Sequence, residues 1–146
     1  MAIHHGSCLC GSITYEVHQQ LSDFGYCHCR CCRKASGTAH GANAGIAREH
    51  FLLHDDNGLL REFESSPGKR RAFCSRCGSP LFAYLLQTPE QVRIRLGTLD
   101  STFTKTAQAH TFVSEKAAWE EIGGGIPQFP EWADRAVLVQ VGSKQP

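Results

Sequence analysis

Seven of the eight cysteines fall into three tight groups, Cys8-x-Cys10, Cys27-x-Cys29-x-x-Cys32 and Cys74-x-x-Cys77. Thiolates at such spacings are zinc-ligand chemistry: a closed structural site takes four protein ligands, and a catalytic site usually takes three and keeps one position open. Cysteines one residue apart rarely meet the Cα and torsional demands of a disulfide, so CHCRCCRK, from Cys27 to Lys34, reads as a metal knuckle. Two divisions of the seven are compatible with spacing. One joins the outer groups into a closed set of Cys8, Cys10, Cys74 and Cys77 and leaves Cys27, Cys29 and Cys32 with a free fourth position. The other builds a zinc ribbon from Cys29-x-x-Cys32 and Cys74-x-x-Cys77, with the N-terminal pair left over. Cys31 falls between ligand positions and reads as a small buried hydrophobe.

Three thiolates around one Zn²⁺ carry a formal charge of −1, which makes the metal a weak Lewis acid toward water and a good partner for a soft thiol. An open three-cysteine site would therefore activate a thiol nucleophile, and a proton relay would complete the reaction. His28, inside the cluster, and His40, just beyond KASGTA, are the candidate relays. Arg30, Arg33, Lys34 and Arg76 flank the knuckles, where they can offset anionic clusters or hold a substrate carboxylate.

The rest of the chain must position these groups. Its 146 residues suit one domain, 1–146, with 41% hydrophobic and 20% charged residues and a formal net charge of +1. That balance gives no general attraction to nucleic acid, and the KRR triplet at Lys69–Arg71 is too short to supply one. The N-terminal MAIHHGSCLC lacks an apolar signal-peptide core, and no segment approaches the roughly 20 apolar residues of a membrane span. The expectation is a cytoplasmic protein with reduced thiols and no membrane partner.

SITYEV alternates, placing Ile13, Tyr15 and Val17 on one face directly after the first cysteine pair. CCRKASG can form a helical turn closed by Gly37. Turn signals at Asn57-Gly58 and Pro67-Gly68 punctuate a meander of short antiparallel strands, and Gly78 lets Cys74 and Cys77 form a knuckle before a strand through Leu81, Phe82 and Tyr84. VRIRLGTLD alternates on Val92, Ile94 and Leu96. SEKAAWEEI is expected to be a short helix with Ser114 as N-cap, GGGIPQFPEW a loop, and AVLVQV a short strand or helix. The class is mainly β with short helical turns.

The stretches GSCLCGSITYEV, CHCRCCRKASG, FCSRCGSPLF, LGTLD and HTFVSEKAAWEEIGGGIPQF, running from about Gly6 to Trp132, resemble the glutathione-dependent formaldehyde-activating enzyme family, which also includes the centromere protein V group. The resemblance implies a β-tent fold of short antiparallel strands with zinc knuckles, and two zinc ions per chain. It selects the four-plus-three division: Cys8, Cys10, Cys74 and Cys77 match the structural ligands, Cys27, Cys29 and Cys32 the catalytic ones, and Cys31 a variable position. The implied reaction joins glutathione and formaldehyde into S-hydroxymethylglutathione, a carbon–sulfur lyase activity in reverse, with Arg30 and Arg33 as candidate glutathione contacts. Two alternatives remain at this stage: a different thiol adduct at the same open zinc, or a zinc-stabilised binding module without catalysis. An edge-rich small β domain can also pair as a homodimer.

Overall fold

The computed structural model describes residues 1–134, so AVLVQV, at 136–141, lies outside the described residues. In chain order the strands are β1 (His4–Ser7), β2 (Thr14–Val17), β3 (Tyr26–Cys27), β4 (Gly41–Ala47), β5 (Phe51–His54), β6 (Leu60–Ser66), β7 (Lys69–Cys74), β8 (Pro80–Leu85), β9 (Gln91–Arg95) and β10 (His110–Thr111). One α-helix, α1 (Arg30–Ser36), stands among the described residues, with 3-10 turns at Arg48–His50, Leu96–Thr98 and Val113–Glu115. The mainly β class with short helical turns is as the sequence leads one to expect. Chain contacts divide the molecule into a first unit of Met1–Ser22 with Asn43–Thr104, and a second of Asp23–Ala42 with the chain from Lys105 onward.

The first unit holds a small antiparallel sheet, β1-β2-β5, and an antiparallel ladder in the order β4-β9-β8-β7-β6. Alternation builds its core. Ile13, Tyr15 and Val17 are buried around β2, as are Leu81, Phe82 and Ala83 on β8, and Val92 and Ile94 on β9 beside exposed Gln91 and Arg93. Each fully buried aliphatic side chain contributes about 1.5–3 kcal/mol. Phe51 links the two groups, its ring 5.2 Å from Tyr15 and 5.2 Å from Phe82. The free edge, β6, exposes Arg61, Glu62 and Glu64, charges that discourage pairing with another chain.

LGTLD latches the N-terminal strand. The Tyr15 hydroxyl and Thr98 Oγ1 are 2.7 Å apart, the Ser7 hydroxyl donates to Asp100 Oδ2 at 2.7 Å, and the Asp100 amide donates to the His5 carbonyl at 2.8 Å. Burial pushes the Tyr15 phenol up to about 12, with the Thr98 hydrogen bond opposing and the Asp100 charge assisting. Because the folded value lies above the unfolded one, the neutral phenol contributes stability that is complete below pH ~10 and is lost as pH rises toward ~12. A loss of about 2.5 kcal/mol over that window is expected in wild type beyond the loss in Tyr15→Phe, read from urea unfolding at stepped pH; parallel curves for the two proteins would refute it.

In the second unit, β3 pairs antiparallel with the start of β4 (Tyr26↔Ala42, Cys27↔Gly41) and parallel with β10 (Tyr26↔His110, Cys27↔Thr111). The parallel pairing departs from the all-antiparallel expectation. No hairpin joins β3 to β10, whose long intervening chain leaves either direction open. SEKAAWEEI also departs from expectation, because only Val113–Glu115 winds, as a 3-10 turn, and Ser114 does not cap it. The Ser114 hydroxyl instead donates to the Pro130 carbonyl at 2.6 Å, and the amides of Phe112, Val113 and Ser114 donate to Glu131, Phe129 and Pro130. So short a helix is marginal on its own, and the returning GGGIPQFPEW loop has taken its capping groups.

Candidate metal centres and the histidine cluster

The first centre is built from a turn and a knuckle. Cys8-Leu9-Cys10 follows β1, with the Gly11 amide bonded back to the Cys8 carbonyl at 3.0 Å. Cys74 ends β7, and a register shift between Ala72 and Phe73 re-aims the strand just before it. Gly78, at φ 79°, then closes the knuckle by donating its amide to the Cys74 carbonyl at 2.8 Å. All four sulfurs of Cys8, Cys10, Cys74 and Cys77 lie within 4.8 Å of one another, with Cys8 and Cys74 buried.

This donor set fits a tetrahedral zinc. Four sulfurs at about 2.3 Å from a metal stand about 3.8 Å apart. The Cys8–Cys10 and Cys10–Cys74 sulfur separations are 3.6 and 3.9 Å, far too long for disulfides. The Ile13 amide donates to Cys8 Sγ at 3.3 Å, the kind of outer-shell contact that supports a ligating thiolate. Hydrogen bonds led by the Ser79 hydroxyl lower Cys77 to about 5, and those from Ser12 lower Cys10, whereas burial raises Cys74 to about 11. Arg76 beside the knuckle donates to Ser12 Oγ at 2.7 Å, so its side chain is committed to this turn.

The second centre lies wholly in the second unit. Cys27 ends β3, Cys29 is the N-cap of α1 and accepts the Cys32 amide on its sulfur at 3.3 Å, and Gly37, at φ 69°, ends the helix by donating to Arg33. Cys27, Cys29 and Cys32 bring their sulfurs within 4.8 Å of one another, and among the described residues no fourth cysteine, histidine or carboxylate joins them. Contact with the Cys29 and Cys32 sulfurs, followed by burial, drives the Cys27 thiol strongly upward. Three thiolates cannot coexist at this spacing without a cation among them.

Beside the three cysteines stands a group of imidazoles. His28 is fully buried, with Nε2 2.8 Å from His110 Nδ1, and its amide donates to the Thr111 carbonyl at 2.9 Å. The His40 ring lies 5.1 Å from that of His28 and packs on Tyr26 at 4.2 Å. Desolvation lowers the pKa of all three histidines, and their mutual repulsion adds to it for His28 and His110, so each is held neutral near pH 7. Nδ1 of His28 and Nδ1 of His40 are buried without a hydrogen-bond partner among the described residues.

Residues 3–115 match the family model described as glutathione-dependent formaldehyde-activating enzyme. The chain belongs to that family. A protein of Halomonas elongata, provisionally named a glutathione-dependent formaldehyde-activating enzyme, is 30% identical over 125 residues, which is 80% of this chain and 79% of that protein. A Rhodobacter sphaeroides crystal structure aligns with a TM-score of 0.56 and 20% identity over 68% of this chain and 91% of that one, a likeness of fold.

Of the residues singled out by spacing, the structure gathers the cysteines into the four-plus-three sets and brings His28 and His40 together. Cys31 is a correction: it lies outside both sets as expected, but it is exposed rather than buried. One helical step of about 100° from Cys32 turns it away from the face that Cys32 buries. Arg30 and Arg33 sit on α1, Arg30 exposed and Arg33 half-buried. The Arg30 backbone amide is taken by Glu115, while the Arg33 side-chain Nε has no partner among the described residues. Lys34 is exposed on the helix's last turn. Sequence reasoning missed His110, which opens HTFVSEKAAW, and only the parallel pairing with β3 sets it beside His28.

Proposed function

We propose that the protein is a zinc-dependent carbon–sulfur lyase-type enzyme that forms and breaks the thiol adduct of formaldehyde, S-hydroxymethylglutathione, at the three-cysteine centre. The observation that carries this reading is the convergence of Cys27, Cys29 and Cys32 without a fourth ligand group among the described residues. Family membership supplies the thiol and the aldehyde. Cys27, Cys29 and Cys32 would hold the reactive zinc, and Cys8, Cys10, Cys74 and Cys77 a structural one. When bound to three thiolates, zinc supplies a soft Lewis acid that prefers a thiol sulfur to water and lowers its pKa.

The protein's own groups do the rest. His28 or His40, both neutral, accepts the proton that the thiol gives up. The sulfur lone pair forms the C–S bond to formaldehyde, the C=O π pair moves to oxygen, and the histidine returns the proton there. The reverse sequence breaks the same bond. Arg30 and Arg33 offer planar cationic forks for the carboxylates of a peptide thiol.

The test is magnetisation-transfer NMR between ¹³C-formaldehyde and S-hydroxymethylglutathione under conditions where the spontaneous reaction is slow. Zinc-loaded protein is expected to accelerate exchange, and Cys29→Ser to return it to the protein-free rate while metal content falls from two ions per chain to one. No acceleration by a fully two-zinc sample would remove formaldehyde chemistry and favour another thiol adduct or a binding role.

A further inference from the structure

A further grouping of ligand-type side chains lies away from both cysteine centres, on the outer face of the small sheet β1-β2-β5. Strand alternation buries His4, Tyr15 and Val17 on one side and turns His5, Glu16, His18 and His54 to the other. Register sets Glu16 between His5 on β1 and Leu52 on β5, with His54 opposite Thr14 on the next outward-facing rung. His18 follows two residues beyond Glu16, held to β5 by its amide, which donates to the His50 carbonyl at 2.8 Å.

Glu16 therefore has an imidazole on either side, and each of its oxygens meets a different ring. Oε2 stands 2.9 Å from His54 Nε2, and Oε1 stands 3.9 Å from His18 Nε2. The His54 hydrogen bond, opposed by desolvation and assisted by the charges of His18, His54 and His5, holds the Glu16 carboxyl below its usual range. Two imidazoles around one carboxylate are a donor set for late first-row transition ions rather than for Mg²⁺ or Ca²⁺. An imidazole nitrogen and a carboxylate oxygen that share a zinc at about 2.0–2.2 Å stand roughly 3 Å apart. His54 already meets that separation, and His18 has to approach by about one ångström. The His18 and His54 side chains are 32% and 46% exposed, so their rings can turn without disturbing the core and an ion reaches them directly from solvent.

The geometry points to a third zinc-binding site, formed by Glu16, His18 and His54 on the outer face of the β1-β2-β5 sheet. Glu16 exchanges its hydrogen bond with His54 for a shared ion, and water completes the coordination. With neither thiolates nor burial to hold it, this ion is bound more weakly than those of the cysteine centres and is lost on desalting. The site belongs to the first unit and depends on neither the three-cysteine centre nor the reaction proposed for it.

The experiment is calorimetric titration of Zn²⁺ into the full chain already carrying two zinc ions, with NMR of the histidine rings on the same samples. One further ion per chain is expected, with the ring resonances of His18 and His54 shifting and those of His28 unmoved. Glu16→Gln and His54→Gln should each weaken this ion at least about 10-fold, since even residues that only support a metal ligand change affinity about 10- to 100-fold. His50→Gln should leave it unchanged, because that ring faces Glu49 at 3.6 Å instead. Excess Mg²⁺ should not compete, because imidazole donors do not suit it. Saturation at two ions, equal weakening by His50→Gln, or displacement by Mg²⁺ would overturn the site; should a variant not fold, the wild-type titration and ring shifts decide.

Discussion

Cys74→Ser is expected to unfold the first unit, and not merely to weaken it. Cys74 is completely buried at the end of β7, and its sulfur stands 3.9 Å from that of Cys10 within the four-cysteine set. That set ties the turn after β1 to the knuckle between β7 and β8, segments more than 60 residues apart in the chain. Binding of a structural zinc is worth about 10–16 kcal/mol in small zinc domains, whereas a domain's net stability is about 5–15 kcal/mol. A lost ligand therefore removes an amount comparable to the whole stability. A serine replacing a buried cysteine without any metal role would cost only about 1–3 kcal/mol, from an unsatisfied hydroxyl. The measurement is a thermal melt by circular dichroism with metal analysis on the same samples. Loss of the cooperative transition together with one zinc per chain is the expected result, and a melting curve lowered by only a few degrees would show that the cluster does not hold the unit together.

Gly6→Ala should also be strongly destabilising, though less so than Cys74→Ser and for a reason unconnected with metal. Gly6 lies on β1 opposite Tyr15 in the β1–β2 register, and the Tyr15 ring crosses over it toward Thr98. A Cβ placed on Gly6 would fall 2.1 Å from Tyr15 Cζ and 2.3 Å from its hydroxyl oxygen. Neither partner can yield cheaply, since Tyr15 is buried against Phe51 and Gly6 is bridged to Leu99. Overpacking of this kind costs about 1–3 kcal/mol, and stranding the Tyr15 hydroxyl adds about 1–3 kcal/mol. A combined loss of about 2–6 kcal/mol is expected in urea unfolding. The double variant Gly6→Ala with Tyr15→Leu should recover part of it, because the ring that clashes is gone; no recovery would mean that the strain lies elsewhere.

Both substitutions would act on function indirectly. The first unit carries no part of the three-cysteine centre, whose ligands and histidines all belong to the second. Damage at Cys74 or Gly6 should accordingly appear first as lost stability, while Cys29→Ser should appear first as lost exchange with the first unit intact.

The amino-acid sequence by itself determined what local chemistry can determine. Alternation in SITYEV and VRIRLGTLD marked the buried Ile13, Tyr15, Val17, Val92 and Ile94. Gly37 and Gly78 marked the left-handed positions that close α1 and the Cys74–Cys77 knuckle. Cysteine spacing marked both ligand sets, although spacing by itself left a ribbon pairing open, because nothing within a C-x-x-C says which distant cysteines it will face.

Only the tertiary structure decided the rest. It brought Cys8 and Cys10 to Cys74 and Cys77 across the chain. It turned Cys31 outward by the helical step of α1. It also replaced the expected Ser114 helix with a 3-10 turn, because a loop from beyond Gly125 supplied competing carbonyls. His110 shows the limit most clearly: as a lone histidine 82 residues from His28 it carries no periodic or spacing signal, and it acquires its place only because β10 hydrogen-bonds in parallel to β3. Local preferences are written in neighbouring residues, whereas a contact between distant segments is a property of the whole packed chain and has no local signature to read.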